Sequence, residues 1–328
     1  MSLAGEGRRG SPGGGVVRPL WAEVDLDRIR HNVGHLRGIT GAGCAFMAVV
    51  KADAYGHGAV PVAGAALEAG ADCLGVALLE EALELRAARI DCPVYLLFEP
   101  PASGARGAVE ADVVCSVYTE EYARALAGAA DALGRKAAVH VKVDSGMHRV
   151  GVPPEKTAEF AAAIDRLEGV EVTGIYTHLA VADRAGHPFT AEQLDRFEGA
   201  AAAADMALGR RLVRHAANSA ALMSEARSHY DMVRVGIAML GLDPSQSTGG
   251  VPGLEPALTL RGEVSFVKTV PAGEGISYGL TYAPEKTSTI VTLPVGYADG
   301  WSRLLSGRAD VLIGGRRRPL VGTVCMDV

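Results

Sequence analysis

From about residue 25 onward the chain alternates between two periodicities. Short β-branched runs are followed by Ala/Leu/Glu-rich stretches with apolar residues at helical spacing. The pattern predicts strands at 44–50, 72–76, 93–97, 112–116, 138–144, 171–177, 213–216 and 232–235. Helices are predicted near 26–37, 59–69, 79–89, 119–133, 154–167 and 190–208, with shorter ones near 104–110 and 219–227. Thr119 and Thr190 stand where N-caps are expected, each ahead of acidic first-turn residues that the helix dipole favours. Eight strands alternating with helices predict an α/β fold, a (β/α)8 barrel. An open doubly wound sheet is the alternative, but the one G-x-G-x-x-G match, GEGRRG at 5–10, follows no predicted strand, and the chain has no G-x-x-x-x-G-K-[ST].

The pattern changes after residue 241. The stretch 243–256 (DPSQSTGGVPGLEP) reads as a linker. Alternating, Gly- and Pro-punctuated runs follow it, which predict a mainly β domain over 257–328. The barrel then occupies 20–242, the run WAEVDL (21–26) offers the β domain a further strand, and residues 1–19 read as a disordered leader.

Composition narrows the function classes. With 328 residues, 48% hydrophobic and 21% charged, the chain suits about two domains and has ample material for a core. Its 38 acidic against 32 basic residues argue against a nucleic-acid partner. No charge-free apolar run approaches membrane-spanning length, so no membrane association is expected. The five cysteines are widely spaced and form no C-x-x-C pair, which argues against a disulfide framework or a zinc site. Arg8 and Arg9 precede no apolar signal core, and a cytoplasmic location is expected.

Working residues of a barrel gather at the C-terminal ends of its strands. Here those ends carry Lys51, then Lys142 with Asp144 and Arg149, then His178, Asn218 with Ser219, and Arg234 with Gly236 and Ile237. A lysine finishing an apolar strand sits where its ammonium is disfavoured, and a free amine suits Schiff-base chemistry. Each residue also has a plain reading. Lys51 could be solvated, His178 structural, Ser219 a helix cap, Arg234 a surface cation, and the run Arg316–Arg318 a solvated hairpin edge. Convergence on one barrel face favours the chemical reading. A phosphate-holding set after strands seven and eight, opposite a lysine on strand one, points to pyridoxal phosphate.

The segment AVVKADAYGHG (48–58) resembles the cofactor-lysine signature of the alanine racemase family, pyridoxal-phosphate enzymes of fold type III. The resemblance continues through VKVDSGMHRVG (141–151), THLAVAD (177–183), HAANSAA (215–221), MVRVGIAMLGL (232–242), SYGLTY (277–282), VGYADG (295–300) and GTVCMD (322–327). It implies a head-to-tail homodimer that interconverts L- and D-alanine and supplies D-alanine for cell-wall synthesis. Lys51 resembles the lysine that holds the cofactor and acts as one base. Tyr278 resembles the opposite base, given by the partner subunit. Arg234 matches the arginine facing the pyridine nitrogen, and His178 a histidine beside the cofactor. Tyr55, Asn218, Ser219, Gly236 and Ile237 fall in the cofactor-binding blocks. Arg149 and Met326 match substrate-carboxylate contacts, Tyr297 a residue where substrate enters, and Lys142 a lysine carbamylated in many members.

Two positions depart from the family pattern: Leu240 stands where tyrosine is usual, and Val328 where glutamine is usual. Relatives are expected to continue past Val328, so the β domain is expected to be incomplete. A broader amino-acid racemase, a pyridoxal-phosphate-binding protein without catalysis and a decarboxylase of the same fold stand as alternatives.

Overall fold

The structure, a computed structural model, describes residues 18–244 and 252–328; most of the expected leader and half of the expected linker lie outside the described residues. Two compact units are present. One comprises Val24–Leu258, and the other joins the described residues up to Glu23 with Thr259–Val328.

The first strand, β1 (Leu20–Val24), precedes α1 (Leu26–Arg37). The larger unit then runs β2 (Ala45–Val49), α2 (Lys51–Gly56), α3 (Ala59–Glu68), β3 (Cys73–Val76), α4 (Leu79–Ala87), β4 (Val94–Leu96) and α5 (Ala105–Glu110). It continues through β5 (Val113–Val117), α6 (Glu120–Leu133), β6 (Ala137–Lys142), α7 (Thr157–Asp165) and β7 (Val170–Tyr176). It ends with α8 (Pro188–Leu208), β8 (Val213–His215), α9 (Ser219–Ser224) and β9 (Met232–Val235). Strands β2 to β9 pair in parallel in sequence order, and β9 returns to β2 with Met47 opposite Arg234. The closed eight-stranded barrel is the predicted one.

Strand alternation sorts the core into two layers. Phe46 and Ala48 of β2 face outward, into one large cluster with Ile29, Val33 and Leu36 of α1. Met47 and Val49 face inward, to a small cluster with Cys73 and Met232. Each fully buried aliphatic or aromatic side chain contributes about 1.5–3 kcal/mol, so the outer layer carries most of the stability. The inner layer has room for polar groups, among them the buried His140, Lys142, His215 and Arg234. Gly174 of β7 makes one of these possible, since a Cβ there would lie 2.4 Å from the His140 ring.

The N-caps divide. Thr119 caps α6 as expected, its hydroxyl accepting the Tyr122 N–H at 3.3 Å. Thr190 does not cap α8. That helix starts two residues earlier at Pro188, whose ring fixes a helical φ at the first position, and His187 Nδ1 accepts the Phe189 N–H at 3.2 Å. Thr190 is instead buried against the core side of the helix.

The smaller unit is built of β10 (Leu258–Gly262), β11 (Phe266–Val270), β12 (Ser288–Thr292), β13 (Asp310–Ile313) and β14 (Arg316–Pro319). Strand β1 pairs with β10, β11 with β12, and β13 with β14. Arg316, Arg317 and Arg318 lie exposed along β14, the solvated hairpin edge of the plain reading. No helix among the described residues is long and apolar enough to cross a membrane.

Candidate active site

A cavity of about 490 Å³ opens at the C-terminal ends of the barrel strands. It gathers ten of the sequence-predicted residues: Lys51, Tyr55, Lys142, Arg149, His178, Asn218, Ser219, Arg234, Gly236 and Ile237. A second cavity of about 200 Å³ lies at the opposite end of β4 to β6, where Arg86 is spent on the carbonyls of Ile90, Cys92, Ala111 and Asp112.

Lys51 leaves β2 directly into an unusual backbone. Ala52, Asp53, Ala54 and Tyr55 all have φ between 50° and 56°, one left-handed helical turn without a glycine among them. Such a turn costs roughly 1–2 kcal/mol per residue, so its surroundings must hold it. Ala54 N–H donates to Val50 O at 2.9 Å, and the Asp53 carboxylate accepts the Ala59 N–H at 2.6 Å. The Glu81 carboxylate of α4 accepts the Ala52 N–H at 2.6 Å. The turn places Lys51 and Tyr55 on the same cavity wall.

Arg234 forms the floor. It is 4% exposed, and every group it donates to is neutral. Its guanidinium reaches His215 Nδ1 at 3.0 Å, His178 Nδ1 at 3.2 Å, Thr177 O at 2.9 Å and Ala216 O at 3.1 Å. Burial pulls its pKa down to about 10. Arginine can only donate, so His215 Nδ1 accepts and the ring proton sits on Nε2. That proton is donated to His140 Nδ1 at 2.8 Å. Burial, with the Arg234 charge, holds both imidazoles neutral, His140 down to about 3. Burial and Arg234 likewise hold His178 well below its ordinary value. Tyr176 stacks on His215 at 4.6 Å and donates to Leu97 O at 2.9 Å, closing the floor.

The same excess of cations acts on the lysines. Burial, then Arg149, lower the Lys51 ammonium pKa. Burial, then Arg234, Arg149 and Lys51, bring Lys142 down to about 7. Lys142 Nζ lies 4.3 Å over the Phe98 ring, which Arg149 also covers at 5.2 Å.

The remaining wall carries Tyr55, Ser219, Gly236 and Ile237. Ser219 Oγ accepts the N–H groups of Gly236 at 3.0 Å and Ala238 at 3.3 Å, so its hydroxyl hydrogen is left to donate elsewhere. Any Cβ at Gly236 would fall 2.3 Å from the Tyr55 hydroxyl oxygen. Asn218, not Ser219, is the N-cap of α9, accepting the Ala221 N–H at 3.0 Å.

The other three predicted residues cluster in the smaller unit. Tyr278 is 72% exposed. Its carbonyl accepts the Thr323 hydroxyl at 2.8 Å, and the neighbouring Ser277 hydroxyl donates to Thr323 O at 2.6 Å. Tyr297 N–H donates to Cys325 O and Ala298 N–H to Met326 O, both at 3.0 Å. Three loops carrying Tyr278, Tyr297 and Met326 are thereby tied together. His140, His215 and Tyr176 were missed as site residues, although His140 shares Lys142's strand face at a spacing of two.

Comparison with known proteins fits this geometry. The family model described as "Alanine racemase, N-terminal domain" matches residues 24–244, and "Alanine racemase, C-terminal domain" matches 257–328. The chain belongs to the alanine racemase family. An alanine racemase of Symbiobacterium thermophilum is 49% identical over 311 residues, 95% of this chain and 82% of that protein. One of Desulfovibrio desulfuricans is 45% identical over 310 residues, 94% of this chain and 84% of that protein. Among solved structures, the alanine racemase of Streptomyces coelicolor superposes with a TM-score of 0.89 at 42% identity, covering 95% of this chain and 84% of that one. The enzyme of Bacillus anthracis, solved with bound L-Ala-P, gives 0.85 at 38%, covering 96% and 82%. The predicted β domain is matched by the family's C-terminal domain model over residues 257–328. As a member of the alanine racemase family the chain belongs to a class of pyridoxal-phosphate-dependent isomerases.

Proposed function

We propose that the barrel cavity is the site of pyridoxal-phosphate-dependent racemisation of alanine, with Lys51 and Tyr278 as the two bases. The observation that carries it is the cavity itself, where the amine of Lys51, the neutral-partnered Arg234, Ser219 and Gly236 share one space. These residues suit pyridoxal phosphate. Ser219 has a hydroxyl hydrogen to give a phosphate oxygen, and the missing side chain of Gly236 lets the Tyr55 hydroxyl lie beside it. Lys51 would hold the aldehyde carbon, Tyr55, Asn218, Ser219, Gly236 and Ile237 the phosphate end, and Arg234 with His178 the ring.

When bound, the cofactor supplies an electron sink that eases removal of the amino acid's α-proton. Lys51, kept toward its neutral amine by burial and by Arg149, can accept that proton from one face. Return of a proton to the opposite face needs a second group, which we assign to the exposed hydroxyl of Tyr278 in a second copy of a head-to-tail homodimer. Arg234 cannot release a proton near neutral pH, so it would offer the cofactor ring a hydrogen bond without protonating it. Arg149 and the Met326 backbone are assigned to the substrate carboxylate, and Tyr297 to the passage by which substrate enters. Lys142, neutral above about pH 7, is a nucleophile for carbon dioxide, and its carbamate would bring a negative charge beside Arg149. A cytoplasmic location and a cell-wall supply of D-alanine follow from the same reading.

The test is chiral analysis of L-alanine incubated with the full chain and pyridoxal phosphate. D-alanine should form, and Lys51→Ala and Tyr278→Phe should each abolish its formation. Release of carbon dioxide instead would indicate a decarboxylase, and cofactor binding without either product a non-catalytic binder.

A further inference from the structure

Outside the residues already assigned, one charged side chain touches the lysine-bearing turn from a different part of the barrel. Glu81 lies in the first turn of α4, 29 residues along the chain from Ala52. One carboxylate oxygen accepts the Ala52 N–H at 2.6 Å, and the other accepts those of Ala77 at 2.8 Å and Leu78 at 3.0 Å. Both oxygens are thus fixed, one on the loop that ends β3 and one on the residue after Lys51. A carboxylate accepting backbone N–H groups makes the stronger, charge-assisted kind of hydrogen bond.

The geometry suits what the turn needs. Ala52 is the first of the four left-handed residues, and in that conformation its N–H points out of the turn. Glu81 meets that N–H, while Asp53 secures the turn's far end through Ala59. The charge matters as well as the anchorage. Lys51 is faced by Arg149 and Lys142 from β6 and the loop after it, and by His178 from the end of β7. Glu81 is the anionic group acting on it from α4.

We infer that Glu81 is a positioning residue for Lys51, locking the left-handed turn that aims this amine into the cavity and supplying the negative charge that offsets the cations around it. The inference deepens the proposed function, on which it rests for the importance of Lys51.

The experiment compares the full chain with Glu81→Gln, Glu81→Asp and Glu80→Gln, the last altering the neighbouring exposed carboxylate. Amide hydrogen exchange followed by mass spectrometry reads the turn, and the pH dependence of Lys51 acetylation in the full chain freed of cofactor reads the amine. Neither measurement requires turnover. In Glu81→Gln the peptide covering 50–56 should exchange about tenfold faster, the loss of a hydrogen bond to a charged acceptor, with peptides of β5 to β7 unchanged. The acetylation midpoint should move to lower pH, because the favourable charge is gone. Glu81→Asp should loosen the turn yet keep the midpoint close to that of the unaltered protein, and Glu80→Gln should change neither. Unchanged exchange at 50–56, or faster exchange throughout the barrel with an unmoved midpoint, would overturn the inference. Failure of the unaltered protein to make D-alanine would count against the proposed function and leave both readouts standing.

Discussion

The Arg234 guanidinium donates to Nδ1 of His215 at 3.0 Å, and this contact dictates the protonation of the barrel's polar floor. Because arginine has no acceptor, the proton of His215 is forced to Nε2 and on to His140. A buried positive charge with only neutral partners is costly to maintain. It is retained where the cavity needs a donor that cannot become an acid.

Replacing Arg234 by lysine should therefore not be conservative. A single ammonium cannot reach His215, His178, Thr177 O and Ala216 O together. Arg234→Lys should destabilise the fold by about 3 kcal/mol, through buried acceptors left unmet. Urea denaturation measures this directly. A midpoint equal to that of the unaltered protein would show the four bonds to be dispensable.

Gly174 tests the same floor from below. A methyl group there meets the His140 ring at 2.4 Å, among fully buried neighbours that cannot yield. Gly174→Ala should cost about 1–3 kcal/mol by overpacking and lower the thermal midpoint. Pairing it with His140→Ala should recover part of that loss, since the clash is with one ring.

Lys142 gives a pH signature. An ordinary lysine titrates near about 10.4, whereas burial and Arg234 bring this one down to about 7. Between those values the unfolded chain holds a proton that the folded chain has shed. Stability should then rise with pH across that window, by up to about 1.4 kcal/mol per unit. Lys142→Met should remove the rise and be more stable than the unaltered protein at pH 6. Chemical denaturation in carbonate-free buffer between pH 6 and 10 measures both slopes, and parallel slopes would contradict the shift.

Much of this was readable in the sequence, for reasons that particular residues show. The barrel strands were legible because each joins a β-branched run to turn residues, as AVHVKVD does in β6. That Lys51, Arg234, Ser219 and Gly236 line one cavity was legible because strand ends in a barrel converge. The left-handed turn at 52–55 was not. Its residues, Ala-Asp-Ala-Tyr, include no glycine, and what holds them is a carboxylate in another helix. Thr190 misled for a local reason, because TAEQ imitates a cap while Pro188 had already started the helix. His215 and His140 were overlooked because a histidine within an apolar strand reads as core until its partner across the barrel is known.

The central claim is that Lys51 carries the cofactor. Incubation with pyridoxal phosphate, reduction with borohydride and peptide mapping by mass spectrometry test it most directly. The reduced pyridoxyl group should be found on the peptide containing Lys51, and Lys51→Arg should lose both the adduct and D-alanine formation. An adduct confined to another lysine such as Lys142, or racemisation that survives Lys51→Arg, would contradict the assignment.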